Sequence, residues 1–493
     1  MGEQSNSNYH HILKYTGIFG SVQVLTILIS LVRNKVMAVL LGASGVGFNS
    51  LMTTMQNFAS QATNLGITFG AIPRLSGYYE QQDKLKIEYS IMVIRLWSVI
   101  AAVLGLLFCL MVSSFVDKLS FTWGDHTLHY AMLGLSVAMI SITGGETAIL
   151  KATRHLNALA RIQVYTAFVA VVLSLPLYYF LRERGIVPAI VLIAFSTMMV
   201  TLWYSYRRYP LRLVFRYSLL TDGADMIRLG LAFVSAAVVG SASEMFIRSF
   251  LNVEGGLHIV GLYNVGFMLT ITYAGMIFSS LETDYFPRLS AVQKDIHMTN
   301  DTVNKQMEVS LLLLAPMLVA LLMLLPVLVP MLFSNEFLPV VAMTQVAVLA
   351  MYFKVMTMPV SYISLARSRS LAFLFLESSY FVVLIISVVV GYRLWGIFGT
   401  GVAIVIAHVS EYVLTNGFAY FQYDYRCTKT IYCYASFQLL IGVTAYVISL
   451  ICDGWCYWIT EAALTAVSTA YSINILRRKT HLWESLKRKF THS

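Results

Sequence analysis

Residues 42–47 read Gly-Ala-Ser-Gly-Val-Gly and residues 73–76 read Pro-Arg-Leu-Ser. At an offset of 214 positions (73 to 287), residues 256–261 read Gly-Leu-His-Ile-Val-Gly and residues 287–290 read Pro-Arg-Leu-Ser again. One register thus maps Gly42, Val46, Gly47 and the whole tetrapeptide onto identical residues. Chance can place one short peptide twice; it is a poor source of seven identities at a single offset. The reading is an internal duplication.

The rest of the chain says in what medium the copies fold. Of 493 residues, 58% are hydrophobic and 12% charged, and the mean hydropathy is +0.72. A soluble globular domain carries about 25% charged residues. The apolar residues also come in long runs: Ser90–Phe115 holds one charge, Arg95, and Ser310–Phe333 holds none. A helix needs about 20 mostly apolar residues to cross a bilayer, and both runs qualify. A transmembrane barrel would show short alternating segments instead. The fold class is therefore an all-α polytopic membrane protein, with about fourteen spans, the first read as retained and not as a removed signal.

The net charge of +10 does not point to nucleic acid, because the basic residues fall in alternate connections between apolar spans. With the N-terminus inside, most of the 34 lysines and arginines lie on the inner side, from Lys14 to the tail residues Lys487–Lys489. The exceptions are Arg33, Lys35, Lys118, Arg182, Arg184, Arg248 and Arg393, with Lys354 inside a span. This asymmetry predicts both termini in the cytoplasm. Six spans separate the repeated frames, an even number, so the copies share one orientation. The expectation is two parallel six-helix lobes around a central cavity, residues 1–215 and 220–426, with two further spans and a basic tail in residues 427–493. No connection is long enough for an extramembrane catalytic domain. No nucleotide-binding loop, zinc pattern or nucleophile elbow stands out, so neither a cofactor nor a metal is expected. The five cysteines form no metal pattern; Cys452 and Cys456 flank a turn and could pair.

The segment Lys35-Val-Met-Ala-Val-Leu-Leu-Gly42-Ala-Ser-Gly45-Val-Gly47, followed by Leu65-Gly66-Ile67 and Pro73-Arg-Leu-Ser76-Gly-Tyr-Tyr-Glu80, resembles the opening of the polysaccharide flippases. These are O-antigen and related repeat-unit translocases (Wzx-type), of the superfamily that also holds multidrug/toxin extruders and the lipid II flippase. The match in sequence is concentrated in residues 30–90. The resemblance implies movement of undecaprenyl-diphosphate-linked oligosaccharides from the inner to the outer leaflet of the bacterial inner membrane by alternating access. It implies as partners that lipid-linked oligosaccharide, membrane lipids and other polysaccharide assembly proteins. A cation-coupled multidrug antiporter on the same fold is the first alternative, and a membrane-embedded polysaccharide polymerase the second.

A diphosphate headgroup needs cations, and a charge inside a span is costly enough to be a functional hypothesis. Lys354, in the middle of a span, is the leading candidate for headgroup contact; a salt-bridge partner is its plain alternative. Arg33 and Lys35 defy the charge rule and line an outward cavity or snorkel to lipid headgroups. Arg248 lies four residues after Glu244, as a gate or as a local ion pair. Arg95 is a further cation. Glu146, near Lys151, and the pair His408 and Glu411 are candidates for coupling. Arg74 and Arg288, the repeat-related arginines, either anchor the inner helix ends or recruit an anion at the inner mouth; each is expected to follow a proline that ends a span. Glu282 and Asp284 make the second copy acidic where the first has Thr68 and Gly70.

Overall fold

The computed structural model describes residues 2–121, 125–211, 217–272, 275, 285–286, 288–367 and 369–479. The expectations placed on Arg212, Arg216, Glu282, Asp284, Pro287 and Lys487–Lys489, and on the side chain of Lys14, lie outside the described residues. All regular structure among the described residues is helical. The helices are α1 (Gly2–Thr63), α2 (Ile67–Glu80), α3 (Lys84–Ser120), α4 (Thr127–Ala152), α5 (Leu156–Leu181), α6 (Ile186–Tyr206), α7 (Tyr217–Phe267), α8 (Ile296–Leu332), α9 (Val340–Val348), α10 (Ala350–Ala366), α11 (Ser370–Tyr423), α12 (Lys429–Ile451) and α13 (Gly454–Lys479).

Among the described residues, eight continuous helices are long and apolar enough to cross a membrane, and nine if the bent pair α9 and α10 counts as one span. The sequence count of about fourteen is higher because several continuous helices hold two spans. Helix α1 is interrupted at Gly42 (φ 65, ψ −171), α7 at Gly256 (φ 79, ψ 174) and α11 at Trp395 and Gly396 (φ 57, ψ −141). Residues 156–206, α5 and α6, likewise run as one apolar segment. Helix α13 falls outside the eight; it carries Glu461 and ends on Arg477, Arg478 and Lys479.

The interruptions obey the duplication. Gly42 and Gly256 are 214 apart and share one backbone conformation, in a region open to glycine and strained for other residues. Arg182 (φ 53, ψ −134) matches Gly396 at the same offset. Arg182 carries the strain of a side chain there, and its Nη1 donates to the Leu40 carbonyl at 2.8 Å. Helix ends also coincide. Thr153 N bonds Ile149 O and His155 N bonds Leu150 O, while Arg367 N bonds Ile363 O and Arg369 N bonds Ser364 O, each pair exactly one offset apart. The third helix of each copy departs. Asp83 caps α3 by accepting from Lys86 N at 3.2 Å, and Asp295 begins α8 by accepting from Met298 N at 3.0 Å. That offset is 212 (83 to 295). Both helices have 37 residues, so the two missing residues are restored in the connection that follows.

The chain divides into two compact units, Met1–Gly261 with Leu332–Ser334 and Leu262–Met331 with Asn335–Ser493. In the first, backbones meet without intervening side chains. A Cβ on Gly47 would lie 2.0 Å from the Leu257 carbonyl oxygen, and one on Gly261 would lie 1.9 Å from the Ala43 carbonyl oxygen. Since 43 maps to 257 and 47 to 261, the contact is reciprocal between the copies. Such close approach is how membrane helices gain packing energy when lipid offers no hydrophobic drive. Ile67, Ala71 and Leu75 of α2 pack with Ile87, Ile91 and Ile94 of α3, Ile149 of α4 and Met226 of α7.

One expectation needs correction. Pro73 does not end a span. The chain breaks earlier, at Leu65 (φ 53) and Gly66 (φ 68), and Pro73 lies inside α2, which runs on to Glu80. Residues 74–80 are helix, not loop. Proline costs a helix one internal hydrogen bond, and the packed face of α2 holds it together across that loss.

Candidate functional site

In the first unit, α1, α4, α5 and α6 line an open cavity of about 350 Å³. Helix α1 contributes Arg33 from its first arm and Asn49, Thr53 and Gln56 from its second; the last three repeat at four and three residues and so share a face. Helix α4 adds Ile140 and Thr143, α5 adds Tyr178, and α6 adds Ile190, Ile193, Ala194 and Thr197. Thr53 and Thr143 donate their hydroxyl protons to the carbonyls of Asn49 and Met139, at 2.8 and 2.7 Å, which leaves the oxygens free to accept. Arg33 has no carboxylate partner among the described residues. The lining therefore offers one unneutralised cation, two amides, several hydroxyl acceptors and an aromatic ring. That set suits an anion joined to a polyhydroxyl body.

In the second unit, α10 and the two arms of α11 bring together Lys354, Tyr380, His408 and Glu411. Lys354 Nζ lies 3.0 Å from Glu411 Oε1, and His408 Nδ1 lies 2.8 Å from Glu411 Oε2. The Tyr380 ring stacks on His408 at 4.8 Å, and the Lys354 ammonium sits 5.6 Å from the centroid of that ring. Glu411 and His408 are buried, while the Lys354 side chain is 28% exposed. The sequence-predicted Lys354, His408 and Glu411 thus form one cluster. Its register is informative: counted back by 214, Lys354, His408 and Glu411 fall on Ile140, Ala194 and Thr197. All three line the first unit's cavity. At these positions one copy keeps two apolar residues and a threonine around a hollow, and the other places ionisable side chains. Reading the duplication across these positions would have revealed this from sequence.

The remaining candidates have partners of their own. Arg95 binds Glu146 in a two-point contact, 2.7 and 3.2 Å, with both side chains buried. Glu146 also accepts from Ser205 at 2.6 Å, and Arg95 donates to the carbonyls of Tyr209 and Pro210 at 2.9 and 3.1 Å. The partner of Glu146 is thus Arg95, not Lys151; five residues along a helix put Lys151 off its face. Arg248 bonds Ser50 at 2.8 Å and Glu244 at 3.0 Å, the local ion pair that the spacing allows. Lys35 donates to the Phe333 carbonyl at 2.5 Å. Arg74 donates to the Asp222 carbonyl at 2.7 Å and ties α2 to the start of α7, while Arg288 donates to Gln306 at 3.2 Å. Cys452 and Cys456 are free thiols. Sequence reasoning passed over Glu461, fully buried on α13. Its signal was the polar series Tyr457, Glu461, Thr465, Ser468 and Ser472 at helical spacing.

A family model described as "Polysaccharide biosynthesis protein" matches residues 36–342, more than half of the chain. The chain belongs to this family. The chain shares its fold with solved membrane transporters. An inward-facing multidrug resistance MATE family transporter of the MOP superfamily aligns at TM-score 0.67 and 16% identity, over 81% of this chain and 94% of the other. The lipid II flippase MurJ, in an inward closed conformation, aligns at TM-score 0.64 and 13% identity, over 94% of this chain and 99% of the other. A MOP superfamily transporter from Pyrococcus furiosus, whose binding pocket is described as of reverse polarity, aligns at TM-score 0.56 and 15% identity, over 83% of this chain and 94% of the other. No curated protein sequence matches. The chain is a multi-span membrane protein with the MATE- and MurJ-like transporter fold.

Proposed function

We propose that the chain is a flippase that moves undecaprenyl-diphosphate-linked oligosaccharide units from the inner to the outer leaflet of the bacterial inner membrane. It works by alternating access of two lobes, residues 1–215 and 220–426, with both termini in the cytoplasm, and it feeds O-antigen, capsule or exopolysaccharide assembly alongside other proteins of that process. The observation that carries the reading is the first unit's cavity, in which an unneutralised Arg33 stands among Asn49, Gln56, Thr197 and Tyr178. Arginine matches phosphate oxygens in a planar fork, and amides, hydroxyls and an aromatic ring are what a sugar can bond and stack on. The family match and the extent of the MurJ alignment support it. A carrier of organic cations would profit from an acid in its cavity, whereas this cavity is lined by Arg33 and, among the described residues, by no carboxylate.

The test is reconstitution in liposomes with a fluorescent undecaprenyl-diphosphate oligosaccharide. Wild type should move the lipid to the opposite leaflet. Arg33→Ala should weaken its binding by at least about tenfold, the equivalent of about 1.5 kcal/mol for one charge-assisted hydrogen bond. Efflux of small organic cations without movement of any lipid-linked sugar would replace this reading with that of a multidrug antiporter.

A further inference from the structure

Three carboxylates are buried among the described residues: Glu146, Glu411 and Glu461. The first two each have a basic partner and a second donor. Glu461 has neither. It is 0% exposed, and neither Oε1 nor Oε2 accepts a hydrogen bond; one turn on, Thr465 Oγ1 is buried and unpartnered as well. The neighbouring polar groups are uncharged. On its own helix, the Tyr457 hydroxyl donates to the Leu322 and Met323 carbonyls of α8 at 3.2 and 2.9 Å, with Gln345 of α9 beside it. From α12, Gln438 accepts from Ser468 at 2.7 Å and donates to Ser472 at 2.9 Å. Among the described residues, no charged side chain faces Glu461 from α13 or from the helices packed on it.

An ionised carboxylate without a donor in such a place costs several kcal/mol, and a group so placed takes up a cation to avoid it. The smallest is the proton, and the absence of further carboxylate or histidine ligands argues against a larger one. We propose that Glu461 is a proton-binding site of the transporter, held as the neutral acid in this conformation and emptied along the polar face of α13 when α12 and α13 admit water. The proton leaves the carboxyl oxygen for water, and the carboxylate regains one on closing. From Glu461 to Ser472 that face runs about 16 Å at 1.5 Å per residue, with Thr465 and the Gln438, Ser468 and Ser472 cluster along it. The site couples the proposed flipping to a proton gradient, and in that respect rests on the proposed function. The proton site itself does not.

Two measurements separate them. Infrared spectra of the purified protein in detergent, titrated with pH, should show a protonated carboxyl C=O band that Glu461→Gln removes and Glu377→Gln leaves. In liposomes, an imposed proton gradient should speed wild-type translocation of the lipid-linked oligosaccharide, and for Glu461→Gln the ratio with and without the gradient should fall to unity while ungraded translocation persists. If Glu461→Gln does not fold, Glu461→Asp takes its place, with a shifted band and an altered gradient dependence expected. A band unchanged by either variant overturns the proposal. Sodium-specific thermal stabilisation that is lost in the variant, without a protonated band, also overturns it, in favour of a sodium carboxylate. The band present but no lipid-linked sugar moved by wild type would sink the flippase reading and leave the proton site standing.

Discussion

At the scale of the residue, Lys354 poses the sharpest choice. Its ammonium neutralises buried Glu411, and it also reaches the partly exposed edge of the cluster. Lys354→Ala leaves Glu411 with His408 alone, and removing one partner of a buried pair costs about 3–5 kcal/mol. The double variant Lys354→Ala/Glu411→Gln removes charge from both sides and should recover most of the lost melting temperature. Transport then decides the role: a double variant that is stable but inactive makes Lys354 a headgroup contact, and one that transports makes it a counter-ion. A second prediction concerns histidines in the connections. Burial, with His129 beside it, holds His126 below the ordinary value of 6.5 despite Asp117 nearby. Burial and Arg208 do the same to His155. The unfolded chain then takes up protons first on acidification, so the folded state should lose stability as pH falls through 6.5 toward the lowered folded values. Melting curves in detergent across a pH series should show that slope, flattened in His126→Gln/His155→Gln.

At the scale of the element, the crossing at Gly47 and Gly261 admits no side chain. Gly47→Ala would set a Cβ against the backbone of Leu257 and Gly261, and overpacking of this kind costs about 1–3 kcal/mol. Gly77 offers the control. It lies in α2 with nothing within 4 Å of a new Cβ, so Gly77→Ala should raise stability by up to about 1 kcal/mol. Differential scanning fluorimetry of the two variants checks both signs. The crossing was legible in the sequence because its glycines belong to the repeated frame. The 212-residue register of the third helix was not, since Asp83 and Asp295 cap their helices through a geometry that alignment at 214 hides. Nor was the partner of Glu146, because Arg95 comes from another helix 51 residues away, and pattern within one helix cannot nominate it. Glu461 escaped for a different reason. It lies outside the duplicated segments, on a last helix that the sequence offers as one more span.

For the molecule as a whole, the medium and the repeat were plain from composition, and the helix breaks followed the offset found there. The orientation rests on charge alone, and it can be measured. In intact cells whose native cysteines are replaced, a membrane-impermeant thiol reagent applied from outside should label Arg182→Cys and Arg393→Cys and leave Arg154→Cys and Lys479→Cys untouched. The reverse pattern would turn the chain over and place the inner mouth on the wrong side.

The filled and empty hollows of the two units carry a further consequence. A duplicated gene begins with every position held twice, and here the register still records which copy gave what up. Ile140, Ala194 and Thr197 are the first copy's version of Lys354, His408 and Glu411. Writing the first copy's letters into the second, as Lys354→Ile, His408→Ala and Glu411→Thr, is therefore less a disruption than a reversion to the sister sequence. It removes Lys354, His408 and Glu411 together, so neither member of the Lys354–Glu411 pair is left without the other, and it should return the second half to the division of labour that the two halves had before they specialised.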